Sequence, residues 1–101
     1  MDIAEFSLSV FEPLVGTQFS VQTSHGPFTL TLAAAREEPR GNLPSYLRAP
    51  LFLTFDAPSG LMMAQDNYLV SHPAIGEHML QIAPIMPNPP GAPLQYGVLF
   101  T

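Results

Sequence analysis

A small all-β domain is what this sequence predicts: a six-stranded antiparallel sandwich or partly open barrel with one short N-terminal helix. Three observations lead there. Twelve prolines and seven glycines cut the 101 residues into short pieces, the punctuation of turns between strands. Apolar and polar residues alternate in a series of short runs, the period-two pattern of half-buried strands. A length of 101 residues suits one hydrophobic core, so residues 1–101 are read as a single domain.

The elements follow in order. Leu8, Phe11, Leu14 and Val15 fall on one helical stripe, with Ser7 placed to cap it and Gly16 placed to end it. Pro13 limits this segment to one or two turns, packed as a lid on the sheet. Phe19, Val21 and Thr23 alternate in the first strand. Ser24-His25-Gly26-Pro27 reads as a turn. Phe28, Leu30, Leu32 and Ala34 alternate in the second strand, which completes a hairpin with the first. Arg36 to Arg48 reads as a polar, Pro-rich loop. Leu51, Leu53 and Phe55 mark the third strand, and Ala57-Pro58-Ser59-Gly60 ends it. A fourth strand runs from about Tyr68 to His72 and a fifth from about His78 to Ile85. Met86 to Pro93 is a rigid surface loop, and Leu94, Tyr96, Val98 and Phe100 alternate in the sixth strand. Six strands with one apolar face each bury those faces by closing on one another.

The fourth and fifth strands constrain their own register. Tyr68, Val70 and His72 share a face, as do His78, Leu80 and Ile82. Residues facing each other across a hairpin point the same way, so paired numbers must sum to an even constant. Pairing His72 with His78 satisfies this and places Val70 opposite Leu80 and Tyr68 opposite Ile82. The loop is then Pro73 to Glu77, and both histidines lie on one face.

Charge excludes several partners. Only 11% of residues are charged, against roughly 25% in typical domains. Lysine is absent, Arg36, Arg40 and Arg48 are the only cations, and the net charge is -5. Such a surface repels phosphate backbones and anionic lipid, so no nucleic acid and no membrane is expected as partner. Two windows without charged residues, Pro13 to Ala35 and His78 to Thr101, are too broken by Gly, Pro, Gln and His to span a bilayer as helices. Asp2 and Glu5 near the N-terminus are unlike the cationic start of a secretory leader. The expectation is a cytoplasmic location. Cysteine is absent, which removes disulfides, thiolate metal sites and cysteine nucleophiles.

Chemistry-bearing residues are few. The His72/His78 pair is the sharpest candidate for a metal, but structural zinc wants four ligands and catalytic zinc three. Glu77 falls on the other face and His25 in another hairpin. The pair therefore reads as strand-end histidines bonded to backbone or water, without metal, although two close imidazoles would resist double protonation. Glu37 and Glu38 beside Arg36 and Arg40 read as a solvated charge cluster. Asp56 and Asp66 flank the loop 57–65 and suit turn acceptors; a pocket role is the alternative, with no second signal for it. Ser24 precedes His25, but no G-x-S-x-G and no glycine-rich phosphate loop occurs. Neither an enzyme nor a cofactor is expected. Met62, Met63, Ile75 and Met86 fit no alternating position. They form a candidate interaction surface, since methionine outside a core often marks an adaptable contact. The competing reading is that their loops fold back and bury them.

Four segments carry a family resemblance: Phe11-Glu12-Pro13-Leu14-Val15-Gly16-Thr17-Gln18-Phe19-Ser20-Val21, Tyr68-Leu69-Val70-Ser71-His72-Pro73-Ala74-Ile75-Gly76-Glu77, Ile82-Ala83-Pro84-Ile85 and Tyr96-Gly97-Val98-Leu99-Phe100. In this order they resemble a family of uncharacterised small bacterial β-rich proteins, a domain of unknown function. Some members of that family are encoded near proteins resembling phage tail-collar or tail-fibre components. The resemblance implies a structural or assembly accessory role and no activity. The expectation is a non-enzymatic interaction module of a fibre-like or phage-tail-like assembly, with a protein partner or self-association. The alternative is a small-ligand-binding barrel, its cavity opening between the Leu61–Asn67 and Arg36–Arg48 loops. A hydrolase comes a distant third.

Overall fold

The computed structural model describes residues 5–38, 50–58, 62–85 and 94–100. A single helical turn, α1 (Leu8–Phe11), runs on into a 3-10 turn at Glu12–Leu14. Six strands follow: β1 (Gln18–Thr23), β2 (Gly26–Glu37), β3 (Leu51–Asp56), β4 (Asp66–His72), β5 (Gly76–Pro84) and β6 (Gln95–Phe100). They form a closed antiparallel barrel in the order β1-β2-β3-β6-β5-β4. This corrects the expected sandwich or partly open barrel. The closing contact joins β1 to β4 through Ser20↔Ser71, Val21↔Val70 and Gln22↔Leu69. Closure removes the sheet edges that an open barrel would leave unpaired. β1-β2-β3 and β4-β5-β6 are each a meander, and Met63 of the β3–β4 connection is buried against the barrel interior.

The inward rows are those the alternation marks on five strands. Phe19, Val21, Leu51, Leu53, Phe55, Val70, Leu80, Ile82, Tyr96, Val98 and Phe100 are buried. β2 departs from strict alternation. Its register with β3 shifts between Leu32 and Ala34, so Ala33 is the extra residue of a β-bulge. Before it, Leu30 and Leu32 face the core. After it, Ala35 packs against the core and Ala34 is exposed. The expectation that Ala34 continues the inward row is therefore wrong. β2 also runs through Glu37, so Arg36 and Glu37 belong to a strand rather than to a loop.

The bulge has a second effect. It sends Arg36 to the outer wall opposite Phe52, where its guanidinium lies 4.6 Å over the Phe52 ring. Arg36 Nε donates to Glu38 Oε1 at 3.0 Å. On the far side of Phe52 stands Gly97. A Cβ there would lie 2.7 Å from Phe52 Cζ, so the ring takes the space that a side chain would occupy.

The β4–β5 hairpin has even parity, as expected, but a different constant. Tyr68 pairs with Leu80, Val70 with His78 and His72 with Gly76. The loop is therefore Pro73–Ile75, not Pro73 to Glu77. Gly76 takes φ +80, which turns the chain tightly enough for the shorter loop. Ile75 swings into the core, 1% exposed, a burial the longer loop would forgo.

The helical turns close one barrel end. Phe11 is fully buried. Phe6, which the alternation did not mark, is buried between two strands: its ring is 4.9 Å from His78 of β5 and 5.3 Å from Phe100 of β6. The β5–β6 ladder consists of Ala83↔Gly97 and Pro84↔Tyr96. Phe6 thus wedges the seam where these two strands have diverged.

Candidate functional site at the open barrel end

The other end carries the β1–β2 hairpin tip and the segment from Met62 into β4. Met63 lies across it, 7% exposed, and its backbone N–H donates to the Tyr96 hydroxyl at 2.8 Å. That hydroxyl stands inside the barrel, so the bond fixes the crossing segment over the interior. Met62, the next residue, points the opposite way and is 82% exposed.

Beside Met63 the barrel does not fill. On β4 the inward row runs Val70, Tyr68, Asp66, from buried through half-buried to exposed. On β2 it runs from buried Leu30 to half-buried Phe28, and on β1 from buried Val21 to half-buried Thr23. These upper positions surround a cleft of about 900 Å³, with Gln22, Ser24, His25, Asn67 and Met62 on its rim. The expected cavity had the Leu61–Asn67 loop as one wall; Leu61 lies outside the described residues, and Met62, Met63, Ala64, Asp66 and Asn67 line the cleft. Among the described residues the opposite wall is the β1–β2 hairpin; residues 39–48 of the expected Arg36–Arg48 wall lie outside the described residues.

Hydrogen bonds stiffen both walls. Thr23 Oγ1 donates to the Gly26 carbonyl at 2.8 Å and accepts from the His25 backbone N–H at 3.1 Å. The Tyr68 hydroxyl donates to the Ala64 carbonyl at 2.7 Å, and Asp66 Oδ1 accepts from the Asn67 N–H at 2.8 Å. Burial pushes the Tyr68 hydroxyl above its ordinary value of 10.0. The neighbouring Asp66 carboxylate adds to this by repelling the phenolate, as does Tyr96. Asp56, the other carboxylate expected to act as a turn acceptor, instead accepts from Gln95 Nε2 at 2.8 Å.

The four apolar residues marked for an interaction surface do not stay together. Met63 and Ile75 are core residues, at opposite ends of the barrel. Each is a loop residue turned inward by a local device, the Tyr96 bond for Met63 and the Gly76 turn for Ile75. Met62 is exposed at the cleft rim. Met86 lies outside the described residues.

The two histidines share a face but are not opposed. His72 sits against Phe19, ring centroids 4.4 Å apart. The Ala74 N–H donates to its Nδ1 at 3.0 Å. The neutral ring therefore carries its proton on Nε2 and donates it to Thr17 Oγ1, 3.0 Å away. Thr17 in turn donates to the Leu14 carbonyl at 2.6 Å. His78 donates from Nε2 to the Ile75 carbonyl at 2.7 Å. Each imidazole ties a loop to the barrel, and their bonded nitrogens aim at different partners. No group of three or more metal-ligating side chains occurs among the described residues. A second, shallower hollow of about 370 Å³ borders His72, Ser20, Ser71 and Glu77. With both ring nitrogens engaged, His72 is not placed there as a base for either serine.

No helix among the described residues is long and apolar enough to cross a membrane. The alternation of β4 held the cleft in outline. Carried one step beyond Tyr68 it reaches Asp66, for which the sequence offers a turn acceptor first and a pocket role as the alternative. The hairpin tip gave no comparable sign, because Ser24 and His25 read as an ordinary turn. No curated protein and no solved structure matched the chain. A family model, a domain of unknown function (DUF6916), matches residues 6–100, from the Phe6 wedge to the last residue of β6. The chain belongs to the DUF6916 family.

Proposed function

We propose that this domain is a non-enzymatic interaction module that docks a protein partner at the open end of its barrel. The observation that carries the reading is Met62, 82% exposed on the rim of a cleft floored by half-buried Phe28 and Tyr68. An apolar side chain held out beside partly covered aromatics is stabilised when a partner removes it from water. Two of the three histidines, His72 and His78, are engaged in the fold's own hydrogen bonds, which favours a structural role for them over a catalytic one. The family resemblance adds a setting, an accessory of a fibre-like or phage-tail-like assembly.

A small-ligand role is the second reading, favoured by the cleft volume. About 900 Å³ lies within the range of small-molecule sites. Buried side chains fill the barrel below, so a ligand would sit at the mouth.

The test compares wild type, Met62→Asp and Met79→Ser, the last altering an exposed residue of β5 on the outer wall. Light-scattering mass and partner capture should fall to background with Met62→Asp and remain with Met79→Ser. A wild type that stays monomeric at high concentration and captures no protein overturns the docking reading. Saturable thermal stabilisation by small molecules would then favour the second.

A further inference from the structure

We propose that the cleft recognises an arginine presented by an extended segment of the partner protein. This rests on the docking reading above and names the chemistry of its occupant.

Charge is the first support. Among the described residues, Asp66 is the sole carboxylate lining the cleft and neither lysine nor arginine lines it. Among the described residues, the ionisable groups facing the space are Asp66, His25 and Tyr68. With a net charge of -5 on the chain, an anionic occupant is disfavoured and a cationic one drawn in.

Aromatic faces are the second. Phe28 and Tyr68 occupy inward positions on strands that flank β1, Phe28 opposite Val21 and Tyr68 one inward step from Val70. Val21 and Val70 are themselves paired, so the two rings rise on either side of β1 from successive inward steps, Phe28 level with Val21 and Tyr68 one step nearer the mouth. A guanidinium stacks on such faces and is less strongly hydrated than an ammonium, so it enters a half-buried site more readily.

The third support is on the molecule's own outer wall. There Arg36 lies over Phe52 with Glu38 holding its Nε, a complete carboxylate–guanidinium–aromatic arrangement. Among the described residues the cleft supplies a carboxylate and two aromatic rings and no guanidinium. Gln22, Ser24 and Asn67 on the rim provide amide and hydroxyl groups to bond an extended backbone on either side of the inserted arginine.

The experiment titrates the full ¹⁵N-labelled chain with the peptide acetyl-Ala-Gly-Ala-Arg-Ala-Gly-Ala-amide. Parallel peptides carry citrulline, lysine or leucine at the central position. The arginine peptide should shift the backbone amides of residues 23–26 and 62–68 saturably. The citrulline and leucine peptides should bind about tenfold more weakly, lacking the charge that both Asp66 and the rings attract. Lysine should fall between. Asp66→Asn should weaken the arginine peptide about five- to tenfold, as should raising the salt, with the amides of β3 and β6 unmoved. If citrulline or leucine shifts the same amides equally, the cleft is a peptide site but not an arginine site, and this inference fails while the docking reading stands. Equal binding of the lysine peptide overturns it as well, since guanidinium geometry then plays no part. If no peptide moves the cleft amides at millimolar concentration, both fall together.

Discussion

Met62 and Met63 are adjacent, chemically identical and structurally opposite. The Tyr96 hydroxyl decides between them by holding the Met63 backbone over the barrel interior. Met63→Ala should therefore cost about 2–4 kcal/mol in chemical denaturation, as cavity-forming core truncations do. Met62→Ser should stay within about 0.5 kcal/mol, the range of ordinary surface changes. Equal costs would mean that the crossing segment does not select one methionine. Tyr68 shows how a single neighbour tunes a group. Its folded pKa is raised, by burial first and by Asp66 next, so the fold favours the neutral phenol. That contribution is intact below pH 10.0 and is lost as pH rises towards the folded value. Absorbance titration should find Tyr68 ionising at lower pH in Asp66→Asn than in wild type. Period-two alternation identified the inward rows of β1, β3, β4, β5 and β6 residue by residue. It was silent on Phe6, Met63 and Ile75, because each is buried by a contact with a residue distant in sequence or by a glycine turn, not by strand period.

At the scale of elements, the Ala33 bulge separates β2 into two halves of opposite parity. Sequence reading carried the first parity straight through Ala33-Ala34-Ala35, three identical residues that offer no pattern to reveal the slip. The bulge places Arg36 outside, over Phe52, and so establishes the outer-wall stack. Deleting Ala33 leaves Leu32 against Phe55, Ala34 against Thr54, Ala35 against Leu53 and Arg36 against Phe52, so the shortened β2 becomes a regular strand with Arg36 still outside. The expected result is a folded variant with dispersed amide resonances. Loss of that dispersion would show that the bend made by the bulge is itself needed for the fold. The same stack explains Gly97. Gly97→Ala should cost about 1–2 kcal/mol, since Phe52 must leave its place between Arg36 and the β6 backbone. In a Phe52→Ala background the same change should cost little. Coupling of about 1 kcal/mol in the double-mutant cycle is the expected outcome, and additivity would sever the two residues.

The barrel as a whole is closed by unequal means. Its first five contacts in the ring are ladders of three or more pairs, whereas β5 and β6 share two. Divergence at that seam exposes interior that must be covered, and Phe6 covers it from outside the sheet, edge-on to Phe11, His78 and Phe100. Closure therefore depends on a residue that belongs to no strand. This is also why the alternation alone left sandwich and barrel unresolved: nothing in six alternating runs states whether β1 meets β4, or what fills the gap when two neighbours part. The two barrel ends should then respond differently to truncation. Phe6→Ala removes a large aromatic from a fully packed site and should cost about 3–4 kcal/mol. More tellingly, it should loosen one seam first. Native-state hydrogen exchange at residues 83–85 and 97–100 should accelerate beyond the change at residues 19–22 and 28–31, because local opening follows the weakest ladder. Uniform acceleration across all strands would mean that Phe6 stabilises the barrel only globally and does not hold this seam.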